Sequence, residues 1–227
     1  MEIASIEDIC KIMSMGVDKN DRVIITLLLS SGLPSKFIEE MTYDQLLDAC
    51  NHFFRYDETR SIQKLVTKNP KKDKLVPCFD FKNRSRQGMT CCTPQALQLL
   101  IEYLRYRITI DDGTEYVLLN YKNEPLADCD HISNLFRRAR EKASRYLLEG
   151  SLDIKADNVR ERFKCICKND LQGEYRDEVL ALMNVKGDSN KKFYEYIKDH
   201  RWILLEHYGS VVDSLTLNCD DIIHRNR

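Results

Sequence analysis

The stretch Val23-Ile24-Ile25-Thr26-Leu27-Leu28-Leu29-Ser30-Ser31-Gly32-Leu33-Pro34-Ser35-Lys36-Phe37-Ile38-Glu39-Glu40-Met41-Thr42-Tyr43-Asp44 decides how the chain is read. Val23, Ile24, Leu27 and Leu28 recur at helical spacing, so a helix is predicted from Asp21 to Ser30. Ser30-Ser31-Gly32-Leu33-Pro34 ends it, and Pro34 is placed to start the next helix, because a first-turn residue needs no backbone donor. A short helix follows from Ser35 to Met41 and another from Asp44 to Phe53. Upstream, Ile6 to Met15 reads as one more helix.

Downstream, a polar, lysine-rich connection runs from about Arg55 to Lys74. Leu75 to Phe81 and Met89 to Cys92 are predicted strands, flanking the basic turn Lys82-Asn83-Arg84-Ser85-Arg86-Gln87-Gly88. Thr93-Pro94 is a helix start, with Thr as cap and Pro in the first turn. Behind it Ala96, Leu97, Leu100, Ile101 and Leu104 form an apolar stripe. Tyr116 to Asn120 is predicted as a short strand. Helices are then expected over Asp130–Leu148, Lys155–Asn169, Arg176–Met183, Asn190–Asp199 and Trp202–Leu215. The fold class is mostly α with a small antiparallel sheet, an α+β fold.

The 227 residues are 43% hydrophobic and 31% charged, with 8 Gly and 5 Pro, which excludes a disordered or collagen-like chain. The longest apolar run, Val23 to Leu29, falls far short of the roughly 20 residues that span a bilayer. No signal peptide opens the sequence, so a cytoplasmic location without membrane contact is expected. The net charge of −1 hides a segregation: Met1 to Glu58 carries 5 basic and 11 acidic residues, whereas Arg60 to Arg86 carries 9 basic residues against Asp73 and Asp80. Arg137, Arg138, Arg140, Lys142 and Arg145 form a second basic cluster opposed only by Glu141. Segregated positive charge suits phosphate-rich partners; charge alone equally fits solvated helix faces. The nine cysteines include no CxxC pair, and Cys129 and His131 flank Asp130 without a second pair to complete a site. Buried thiols in a reducing compartment, no metal and no cofactor are expected.

Several motifs, in order, resemble the catalytic domain of tyrosine recombinases, the phage and archaeal integrase family. Leu27 to Leu33, followed by Ile38, Met41-Thr42-Tyr43 and Asp44, resembles the family's first box. Thr93-Pro94-Gln95-Ala96, leading to Tyr103-Leu104-Arg105-Tyr106-Arg107, is similar to the segment after the catalytic hairpin. Asp157-Asn158-Val159-Arg160 with Arg162-Phe163 resembles the His-x-Leu-Arg box, and Leu182-Met183-Asn184-Val185 resembles Leu-Met-Gly-His. Tyr194 falls nine residues after Val185, where the family places its nucleophile. The likeness spans about Asp21 to Leu215.

The resemblance implies a chemistry that needs neither ATP nor metal. A tyrosine hydroxyl attacks a DNA phosphodiester, two arginines clamp the non-bridging oxygens, a hairpin lysine protonates the leaving 5′-oxygen, and histidines manage protons. Carried over by position, Arg160 is the second arginine, Tyr194 the nucleophile, and Lys82 the hairpin base, with Arg84 and Arg86 fitting nearly as well. Pro34 stands where the first arginine belongs, and Lys36 is the nearest cation. Asp157 and Val185 occupy the two histidine positions, with Lys186 adjacent to the latter. Three such losses would leave little strand cleavage.

The DNA-contacting set this implies is Lys82, Arg84, Arg86, Lys71, Lys72, Lys74, Arg137, Arg138 and Arg162, and the implied partner is double-stranded DNA, bound in a salt-dependent way. A C-terminal helix that docks on a neighbouring subunit is a further family trait, and Val211 to Leu217 is the segment that would form such a homo-oligomer. The expected organisation is a helical extension over 1–20, the integrase-like domain over 21–217 and a tail over 218–227. Three readings stay open at this level: a DNA-binding protein with weak or lost cleavage, an active recombinase with a rebuilt site, and a protein-interaction module on the same fold.

Overall fold

The computed structural model describes residues 3–219 apart from 15, 16, 57, 84, 85, 111, 112, 121, 127–129, 147–153, 188 and 189; the side chains of 83, 86 and 143–146 fall outside it as well. Its helices are α1 (Ile6–Ser14), α2 (Lys19–Ser31), α3 (Ser35–Glu39), α4 (Tyr43–Ala49), α5 (Ile62–Leu65), α6 (Pro70–Asp73), α7 (Pro94–Arg107), α8 (His131–Tyr146), α9 (Ala156–Asp170), α10 (Arg176–Leu182), α11 (Lys191–Asp199) and α12 (Arg201–Gly209). Among the described residues, one antiparallel hairpin, β1 (Cys78–Asn83) with β2 (Arg86–Cys91), supplies the sheet. The α+β class read from the sequence is the class observed. No helix among the described residues is long and apolar enough to cross a membrane.

Helix α2 lies at the centre, with every residue from Val23 to Ser31 buried. Asp18 caps its first turn by accepting from the Asp21 amide, and Gly32 closes it in the left-handed region at φ 61°, its amide bonding back to the Leu28 carbonyl. The apolar faces of α1, α2, α4, α7 and α8 build one core around α2. Helices α9 to α12 build a second.

The hairpin lies between the two cores, and strand alternation divides its side chains. Phe79 and Phe81 face the first core, whereas Cys78, Met89 and Cys91 face the second. The register pairs Cys78 with Cys91, Asp80 with Met89 and Lys82 with Gln87. Asp80 and Lys82 therefore share the face turned towards α10 to α12.

Four sequence expectations are corrected. Lys82 and Arg86 to Gly88, assigned to the turn, are strand residues, because pairing continues to Asn83 and Arg86. The lysine-rich connection contains two helical turns, α5 and α6, capped by Ser61 and Asn69, which accept from the Lys64 and Lys72 amides. Tyr116 to Asn120 is no strand of the sheet. It makes isolated bridges, Thr42 with Tyr116 and Leu119 with Pro125, while the Val117 and Leu119 amides donate to the Met41 carbonyl and the Tyr103 hydroxyl. An apolar triplet buried among helices satisfies its backbone wherever acceptors lie. Helix α12 also ends at Gly209, short of the expected Leu215, and continues as turns.

Gly32 sits where α2 and α9 touch: a Cβ built there would overlap the Phe163 ring, at a φ that L-residues rarely adopt. Gly32→Ala should lower unfolding stability by about 2 kcal/mol or more, combining overpacking with the positive φ. A urea midpoint within error of the parent would refute this.

Candidate functional site

The last carbonyls of a helix have no partner within it. At the end of α2 they are met by side chains from three distant elements. The Tyr208 hydroxyl of α12 donates to the Ser30 carbonyl at 2.5 Å, and the Thr90 hydroxyl of β2 donates to that of Ser31 at 2.7 Å. The Arg160 Nε of α9 donates to that of Gly32 at 3.2 Å. A cation at a helix C-terminus also opposes the negative end of the helix dipole. Arg160, the expected second arginine, thus keeps its side chain only 16% exposed, and its Nη1 is 3.4 Å from Asp157 Oδ1. Burial lowers the pKa of its guanidinium.

Just beyond Gly32 a cleft of about 640 Å³ opens between α3, the hairpin and α11. Pro34 and Lys36 line it from the first segment, Asp80 and Lys82 from β1, and Tyr194 and Lys198 from α11. The structure therefore brings Tyr194, Lys82 and Lys36 together. Arg160 is not among the lining residues. The Tyr194 hydroxyl donates to Asp80 Oδ2 at 2.5 Å, and Lys198 Nζ sits 5.4 Å from the centre of its ring. Burial first, and then the hydrogen bond and the charge of Asp80, raise the Tyr194 pKa well above that of an ordinary phenol. Lys36 Nζ lies 3.4 Å from Glu40, which caps the end of the same short helix, and is largely exposed.

The remaining expected residues are dispersed. The Asp157 side chain points to solvent beside Arg160. Val185 is buried in the second core, and Lys186 is exposed, 3.8 Å from Asp177. Arg162 Nε donates to the Ala4 carbonyl at 2.6 Å, tying the segment before α1 to α9. Lys71 and Lys74 line a different cleft, with Val76, Pro94 and Leu205, while Lys72 is exposed on α6. On α8, Arg137 pairs with Glu141 at 2.8 Å, and Arg138 reaches Asp21 at 3.4 Å. Arg84 and the side chain of Arg86 lie outside the described residues, as does Cys129. Among the described residues no cluster of His, Cys, Asp or Glu has the arrangement of a metal site.

Beyond Lys198, which no motif marks, two further contacts are not marked by the sequence. Asp80 was only a minor acid in a basic segment, yet it holds the Tyr194 proton; its alternation with Lys82 on one strand was the available signal. His131 sits in a buried arrangement with Asp21, its Nε2 3.0 Å from Asp21 Oδ1. No spacing rule joins residues 110 positions apart.

Because the folded state raises the Tyr194 pKa, this group's contribution to stability is complete at neutral pH and declines as pH rises above about 10, the pKa of an unperturbed phenol. Tyr194→Phe should flatten the alkaline fall of stability measured by denaturant unfolding. Asp80→Asn should bring the Tyr194 phenolate absorbance in at lower pH, read as a difference spectrum against Tyr194→Phe. An unchanged titration would remove Asp80 as the cause.

No known protein-family model matches this chain, and no curated protein matches it. Among solved structures it is similar to the crystal structure of XerA recombinase, with a TM-score of 0.53 at 12% sequence identity over 88% of this chain. The chain spans 65% of the length of that protein. At this identity the likeness concerns the fold alone: the fold of this protein is recombinase-like.

Proposed function

We propose that this protein binds double-stranded DNA on the face carrying the Tyr194 cleft, and that strand cleavage there is weak or lost. One observation carries this reading. Among the described residues, the cleft places Tyr194 beside Lys82, Lys36 and Lys198 and beside the acids Asp80 and Glu40, with no arginine or histidine in its lining.

Phosphodiester cleavage concentrates negative charge on the non-bridging oxygens, and a planar guanidinium matches them with two parallel donors. Lysine supplies a point charge without that fork, and Pro34 supplies no donor. Arg160 is engaged by the Gly32 carbonyl and by Asp157. Nucleophilic attack also requires the Tyr194 proton to leave, and both burial and Asp80 oppose its ionisation. What remains is cationic: Lys82 on the exposed side of the hairpin, Lys198 on α11 and Lys36 on α3. With Arg137 and Arg138 on α8, these are the residues we assign to phosphate contact. Lys71, Lys72 and Lys74 would touch the same duplex only where it extends past α6.

A second reading has an observation of its own. Tyr175, Tyr196 and Trp202 are large exposed aromatics at 37%, 44% and 60% exposure, and Tyr196 stacks on His200 at 4.3 Å. Such a patch suits a protein partner.

Filter retention with nicked duplex DNA, with and without SDS, separates the readings. DNA should be retained without SDS only, and raising salt from about 50 to about 200 mM should weaken binding about a hundredfold, the effect of a few phosphate contacts. Lys82→Ala should weaken binding several-fold whatever the DNA sequence. SDS-resistant DNA that disappears in Tyr194→Phe would establish cleavage and overturn the proposal. Absence of retention in a folded sample would leave the protein-partner reading.

A further inference from the structure

The two ends of the described chain meet through sulphur. Cys10, in α1, and Cys219, 209 positions later, have their Sγ atoms 2.6 Å apart, within about 0.6 Å of the length of an S–S bond. Their proximity does not depend on their own contact. Gln95, at the start of α7, donates through Nε2 to the Leu217 carbonyl at 2.7 Å and accepts from the Leu217 amide at 2.8 Å. The segment leading to Cys219 is thereby fixed against the body. On the other side, Arg162 and Asn158 hold the backbone of Ala4 just ahead of α1.

Access differs between the two thiols. Cys10 is fully buried, whereas Cys219 is partly exposed and lines a cleft of about 530 Å³ with Met13, Arg22, Lys71 and Gln95. Among the described residues, that cleft is lined by two cations, Arg22 and Lys71, and no acid. It suits an anionic, low-molecular-weight disulfide such as oxidised glutathione. A second close pair, Cys78 and Cys91 with sulphurs 3.2 Å apart across the hairpin, is buried on both sides and offers no such entry.

We propose that Cys10 and Cys219 are a redox pair that an anionic small disulfide closes into a bond, stapling α1 to the C-terminal segment. The Cys219 thiolate attacks one sulphur of oxidised glutathione; a mixed disulfide forms and one glutathione thiolate leaves. Cys10 then attacks Cys219 Sγ, displacing the second glutathione thiolate, which takes up the Cys10 proton. Two protein thiols are oxidised by two electrons, and one glutathione disulfide is reduced to two thiols. In the reduced chain the hydrogen bond with Cys219 and then burial raise the Cys10 pKa; both steps need a thiolate, so the reaction accelerates as pH rises.

The bond closes almost the whole chain into a ring, which constrains the unfolded state. The test uses the full chain, exposed to oxidised glutathione, alkylated in denaturant and analysed by intact mass and peptide mapping. Two of the nine thiols should be protected, in one cross-link joining the Cys10 and Cys219 peptides, reversed by dithiothreitol. The thermal midpoint should rise by about 5 °C or more. Oxidised glutathione should react faster than the cationic disulfide cystamine, and Cys219→Ser should lose both the cross-link and the rise. A cross-link at Cys78 and Cys91, a persistent glutathione adduct on Cys219 with Cys10 still alkylated, faster reaction with cystamine, or nine alkylated thiols would each overturn the proposal. The parent peptide map decides the matter even if the variant fails to fold.

Discussion

The carboxyl end of α2 is the point to which the rest of the structure is referred. Three consecutive carbonyls, at Ser30, Ser31 and Gly32, are each met by a side chain from a different element: Tyr208 of α12, Thr90 of β2 and Arg160 of α9. Leaving any of them unpaired in a buried site would cost about 1–3 kcal/mol. These contacts fix the hairpin, α9 and α12 relative to one helix end. Gly32 allows it, since only a residue without Cβ lets the Phe163 ring lie against the turn.

The same arrangement redefines Arg160. In a phosphate clamp a guanidinium must present its donors outward. Here Nε serves a helix terminus and Nη1 faces a carboxylate, so Arg160 acts as a capping cation for α2. Tyr194 is altered in a comparable way. Its helix turns the hydroxyl towards the hairpin, where strand alternation puts Asp80 and Lys82 on one face. Of these two neighbours the hydroxyl bonds the acid. A carboxylate beside a phenol favours the proton-bound form, the opposite of what nucleophilic attack on phosphate requires.

Basic residues that are contiguous in the sequence part company in space. Lys71 and Lys74 border a cleft near α7 and α12, whereas Lys82 borders the Tyr194 cleft, because the hairpin carries the chain from one side of the core to the other. Arg162, two residues from Arg160, turns to the segment before α1. A run of charge in sequence is therefore a poor guide to a continuous surface here. Only the side chains that face outward at the cleft bear on what it attracts.

Most of the elements, though not α5, α6 or the end of α12, are legible in the local sequence. Period 3.6 in α2 and α7, the Thr93-Pro94 start, the Gly32 stop and the basic hairpin all follow from local sterics and capping, which operate over a few residues. The order of motifs further suggested a recombinase-like arrangement, and the fold agrees. Tertiary structure alone decided what the site residues touch: Arg160 with Gly32, Tyr194 with Asp80, His131 with Asp21 and Cys10 with Cys219 join positions 110 to 209 residues apart. It also denied Tyr116 to Asn120 a place in the sheet, because its backbone pairs with the loop residues Met41, Thr42, Glu124 and Pro125 and with the Tyr103 hydroxyl instead. Hydrogen-bond partners over such separations are set by how helices pack, and packing depends on the whole set of buried surfaces rather than on any local pattern.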